Sequence, residues 1–79
     1  MTNKEKYELI FMENFAVEKS VLNDEFVYQC VEAWDSVGHM GMIGAIEDTF
    51  DIFMETDDII NFASFTKGIE ILAKYEISI

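Results

Sequence analysis

Residues 34–50 read WDSVGHMGMIGAIEDTF. From Ser36 the stretch has helical spacing, and Ile43, Ile46 and Phe50 mark one face at i, i+3 and i+7. Asp35 or Ser36 supplies the N-cap. A helix over 36–50 is therefore expected, although Gly38, Gly41 and Gly44 interrupt it at intervals of three. An interior glycine costs a helix about 0.5–1 kcal/mol relative to alanine. Replacing Gly38 and Gly41 by alanine is thus expected to stabilise this helix.

Upstream, residues 3–15 are expected to form a first helix, opened by a capping box of Thr2 and Glu5. Tyr7, Ile10, Phe11 and Phe15 make its apolar stripe. Residues 16–34 have no clean period. They read as a long loop with a short helical turn, pinned by Leu22, Phe26, Val27, Val31 and Trp34. After an irregular connection over 51–56, Thr56 caps a short helix over 57–61 with Asp57 and Asp58 in its first turn. Ser64 caps a last helix over 65–76, with Phe65, Ile69 and Leu72 inward and Lys74 in its final turn. The expected fold is all-α: one domain over 1–79, a bundle of three longer helices and one short helix.

A 79-residue chain without proline, 51% apolar and 14% aromatic, must rely on its core. The single cysteine, Cys30, cannot close an internal disulfide, and a buried small hydrophobe is its expected form. No Cys/His cluster has zinc spacing, and the acids lack a calcium-loop pattern, so no metal site is expected. The first residues, MTNKEKYELI, do not have the pattern of a signal peptide. No stretch approaches the roughly 18 uninterrupted apolar residues of a membrane span, so a cytoplasmic protein is expected. The charge is the strongest compositional signal. Sixteen acids and five lysines give −11, and six of the acids lie between Glu47 and Asp58. Such a surface repels nucleic acid and anionic membranes and attracts basic patches on other proteins.

Asp35, Ser36 and His39 invite a hydrolase reading. Asp35 precedes the helix and would have to reach the far side of the same ring, and position 34 is Trp rather than the Gly of a nucleophile elbow. His39 is read as a partly exposed surface side chain, and the protein as no enzyme. A serine at a helix N-terminus has another use. Backbone N–H groups and the helix dipole stabilise an anion there, so a phosphate ester on Ser36 would be held at a fixed point.

The segment resembles the phosphopantetheine attachment site of the acyl carrier protein family, in which Asp-Ser-Leu opens the second helix. Here it stands as Asp35-Ser36-Val37. The resemblance extends over nearly the whole chain through the capped first helix, the long loop, the acidic AIEDTFDI and the last helix FTKGIEILAKY. It implies a four-helix bundle whose Ser36 receives a covalent 4′-phosphopantetheine arm from a phosphopantetheinyl transferase, with coenzyme A and Mg²⁺. The arm would carry acyl groups as thioesters between loading and transfer enzymes with basic patches, as in fatty acid biosynthesis. Glu47 and Asp48 match positions the family uses for docking, and Val37 and Met40 would form an apolar patch beside the arm. The family's fatty-acid members commonly carry acids where this chain has Gly38 and Gly41, which reads either as a specialised pathway or as drift on a solvent face. A monomer is expected. The alternatives are an aminoacyl or peptidyl carrier, or a small acidic protein-interaction module without the arm.

Overall fold

A computed structural model describes residues 1–79. Thr2 begins the first helix as its side chain accepts the Glu5 N–H at 3.1 Å, while the Glu5 carboxylate accepts the Thr2 N–H at 2.9 Å. The bond from the Thr2 N–H, and then the Thr2 side chain, favour the charged carboxylate and hold Glu5 below the usual carboxylate range. Helix α1 runs Asn3–Phe15 and ends at Ala16 in the left-handed conformation. Helix α2 spans Ser36–Phe50, α3 Thr56–Asn61 and α4 Phe65–Ala73. A 3₁₀ turn, Lys19–Val21, interrupts the long loop. The protein is an all-helical bundle of four helices, without a strand beyond one isolated bridge between Val27 and Ser64.

Two boundaries differ from the sequence reading. Thr56 lies inside α3, and Glu55 precedes the helix without a side-chain cap bond. Helix α4 stops at Ala73 rather than 76. Its last amides tighten to i→i−3 bonds, Tyr75 to Leu72 and Glu76 to Ala73, and Glu76 turns left-handed at φ 65°. That exit carries Lys74 and Tyr75 to α3. Lys74 Nζ pairs with one oxygen of Asp58. The Tyr75 hydroxyl donates to the other at 2.6 Å and accepts the Glu55 N–H at 2.9 Å.

This cluster has a pH signature. The bonds from Lys74 and then Tyr75 hold Asp58 below the usual carboxylate range. The bond to Asp58 raises Lys74, and desolvation followed by the bond to Asp58 raises Tyr75. Asp58 therefore contributes stability above the ordinary carboxylate range and loses it as pH falls through its lowered folded value. Lys74 and Tyr75 contribute below their ordinary values and lose it as pH rises through their raised ones. Asp58→Asn is expected to melt lower than the native protein at pH 7, and the gap should narrow in melts taken toward pH 2.

The core is an aromatic assembly centred on Phe11. Its ring meets Tyr7 at 5.0 Å, Phe65 at 5.1 Å, Phe15 and Trp34 at 5.6 Å, and Phe26 at 6.0 Å between centroids. The α1 stripe expected from spacing is buried in full. On α2 the buried face is Met42, Ile43 and Ile46, with Phe50 only half-buried. On α4 Phe65 and Leu72 are buried as expected, Ile71 joins them, and Ile69 is half-buried. In the loop, Phe26 and Trp34 are buried, whereas Val27 is exposed. The bridge explains the alternation. Phe65 N–H bonds to the Phe26 carbonyl and Tyr28 N–H to that of Ala63, both at 2.8 Å, so Phe26 points inward and Val27 outward. Cys30 follows in a turn closed on Val27 and is exposed, not buried.

The α2 glycines are not equivalent. A Cβ on Gly38 would lie 1.9 Å from the Ala33 carbonyl oxygen. Gly38 is thus the close approach that lets the loop fold back over the first turn, and alanine there is not stabilising. A Cβ on Gly41 would make an ordinary 3.6 Å contact with Asn14, and one on Gly44 would meet nothing within 4 Å.

Candidate functional site

Asp35 is the N-cap of α2, its Oδ1 accepting the Gly38 N–H at 2.8 Å. That choice leaves Ser36 as the first helical residue, exposed to solvent. One residue before the cap, Trp34 is completely buried, so the segment is anchored immediately upstream of the serine.

Ser36 lies at the edge of a groove of about 320 Å³. His39 and Met40 line it from α2, Ile59 and Ile60 from α3, Phe62 and Ala63 from the segment after α3, and Tyr28 from the loop. Of the groove's apolar side chains Ile60 is 71% exposed and Met40 55%, and Val37, which follows Ser36 in the chain, is 80% exposed. Val37 and Met40 were expected beside the serine. Ile60 and Tyr28 were not identified from sequence, because they reach the site only through the α2–α3 approach and the loop bridge.

His39 is half-buried rather than a loosely held surface group. Its Nδ1 accepts the Trp34 indole N–H at 3.0 Å, and its Nε2 lies 2.8 Å from the Ile59 carbonyl oxygen. An indole nitrogen can only donate, so Nδ1 carries no proton and Nε2 donates to Ile59. Both nitrogens are occupied, and neither faces Ser36 or Asp35. The ring cannot serve Ser36 as a general base in this arrangement.

The two acids proposed for docking separate. Glu47 is half-buried, and its Oε2 accepts the Met54 N–H at 3.0 Å, fastening the α2–α3 connection. Asp48 is exposed. Asp58, in the same acidic run, is spent on Lys74 and Tyr75. Phe53, between them, is 92% exposed, which its type alone would not suggest. No group of three or more His, Cys, Asp or Glu side chains is arranged to hold a metal ion. No helix is long and apolar enough to cross a membrane.

Fold and site together define a small acidic helical bundle with an exposed serine opening a helix beside an apolar groove. No protein-family model, no curated protein and no solved structure matches the chain.

Proposed function

We propose that this protein is a carrier of the acyl carrier type, with Ser36 as the attachment point of a 4′-phosphopantetheine arm. The observation that carries the reading is the exposed Ser36 hydroxyl at the first position of α2, opening directly onto the apolar groove. The residues suit such a group. The first amides of α2 have no intrahelical acceptor and favour a phosphate, the Asp35 cap fixes the turn, and Met40 and Ile60 offer apolar surface to what lies beyond. Ser36 Oγ would attack the phosphorus of coenzyme A that bears the pantetheine, with 3′,5′-ADP leaving. The transferase must supply the base, because His39 is bonded elsewhere. Once bound, the arm supplies a thiol that holds acyl groups as thioesters.

Partners would be the transferase and acyl-loading and acyl-transfer enzymes with basic patches, met in the cytoplasm. A charge of −11 steers such encounters and favours brief ones. Asp48 is the exposed acid on α2 for this role, with Val37 and Met40 as the apolar contact. Gly41, in a position where fatty-acid carriers commonly present an acid, favours a specialised pathway, whereas Gly38 is accounted for by the Ala33 carbonyl.

Incubation with coenzyme A, Mg²⁺ and a promiscuous transferase should add the mass of one arm to the intact protein. Ser36→Ala should gain none. Labelling of Ser20, Ser64 or Ser78 in that variant, or no labelling of the native protein, would overturn the assignment and leave the acidic interaction module.

A further inference from the structure

His39 joins three parts of the molecule: the Trp34 indole in the loop, its own helix α2, and the Ile59 carbonyl of α3. Ile59 lies in the last turn of a six-residue helix, where carbonyls have no helical N–H donor of their own, so the imidazole acts as a cap on α3. The arrangement requires a neutral ring. A proton added at Nδ1 would set its N–H against the Trp34 N–H, two donors facing each other with a buried donor unpaired. The indole cannot give way. It is fully buried and stacked on Phe15 at 5.0 Å and Phe26 at 5.5 Å. The imidazole must move instead, and because both nitrogens belong to one rigid ring, the Ile59 bond moves with it.

We infer that His39 is a pH-sensitive clamp: neutral, it ties α2 to α3 and closes one wall of the groove beside Ser36, and protonated, it releases α3 and opens that wall. The inference goes beyond the carrier reading and does not require an arm on Ser36. The groups around the ring do not offset the proton. From the loop, Tyr28 presents its ring at 5.6 Å. On α2, Asp35 stands one turn earlier with its carboxylate on the Gly38 N–H. On α3, Asp58 is engaged by Lys74 and Tyr75. No carboxylate or lysine lines the groove. A ring that has turned away no longer opposes the indole N–H, so acidification favours the open state.

The test is the full-length protein from pH 8 to pH 5, a window that stops above the carboxylate range and leaves Asp58 charged. Trp34 is the only tryptophan, so its emission reports the clamp directly. On acidification the emission should shift to the red. Exchange of the α3 amides over 59–61, corrected for its intrinsic pH dependence, should accelerate roughly tenfold relative to α1, the scale of one lost buried hydrogen bond. His39→Gln should give a flat profile by both readouts. Trp34→Phe, which removes the opposing donor, should flatten the exchange profile while far-UV circular dichroism reports an intact bundle. A native profile that is itself flat overturns the proposal whatever the variants do, and so does the same pH dependence persisting in His39→Gln.

Discussion

Replacing Gly68 by alanine is expected to lower the melting temperature by roughly 10–20 °C, the equivalent of about 2–3 kcal/mol in a domain of this size. Gly68 is buried on α4, and a Cβ there would lie 2.2 Å from both the Tyr7 hydroxyl oxygen and Phe62 Cζ. Neither neighbour has free space. Tyr7 and Phe62 are buried, and the Tyr7 hydroxyl donates to the Phe65 carbonyl at 2.6 Å. Burial pushes the Tyr7 phenol up, so it stays a donor at any working pH. The added methyl must break that bond or push the Phe62 ring aside, and either movement reaches the groove wall that Phe62 lines. Thermal melts of Gly68→Ala with Phe62→Leu as a second-site change should recover part of the loss. An unchanged melting temperature in the single variant would show that α4 does not pack this closely on α1.

Gly38→Ala is expected to destabilise by about 1–3 kcal/mol, whereas Gly41→Ala and Gly44→Ala should each stabilise by about 0.5–1 kcal/mol. The Gly38 methyl would meet a backbone carbonyl, which cannot rotate away as a side chain can. Relief requires the Ala33–Asp35 backbone to shift against α2, and this displaces the Asp35 cap and the serine it positions. The other two variants meet ordinary contact or open space, so only the gain in helix propensity remains. Urea unfolding compares the three through their midpoints at constant slope. Arm addition at Ser36 should slow in Gly38→Ala and stay native in Gly44→Ala. Three variants that shift the midpoint in the same direction would refute the distinction.

Helices α1 and α2 were legible because their determinants are local. The Thr2–Glu5 box, the Asp35 cap and the Ser64 cap each act within three residues, and the α1 stripe repeats at helical spacing. The sequence left the cap of α2 between Asp35 and Ser36, and the Asp35 bond to the Gly38 N–H makes Ser36 the first helical residue. What escaped the sequence depends on partners distant along the chain. The end of α4 is set by Lys74 and Tyr75 reaching Asp58, 16 and 17 residues away. Ile59 takes the second nitrogen of His39 from 20 residues away, so a surface histidine becomes a structural link. Glu47 was read as a docking acid because it matches a position the resembled family uses; that its Oε2 also accepts a backbone amide seven residues on is a contact the sequence does not show. Gly38 shows a further limit. Propensity counts what a helix gains from a methyl, but not the carbonyl that already fills the space.

Trp34 bears on anything that later hangs from Ser36. Its ring is stacked against Phe15 and Phe26 two residues before the serine, and the intervening Asp35 is bonded to the helix it begins. A group tethered there swings from a fixed pivot. Its effective concentration at a docked partner is then governed by the length and stiffness of the tether and by where the partner sits, with little blurring from motion of the protein beneath it. A partner that recognises Met40 and Ile60 of the groove, or the exposed Val37 next to Ser36 in the chain, therefore also sets the distance over which the tethered end must search.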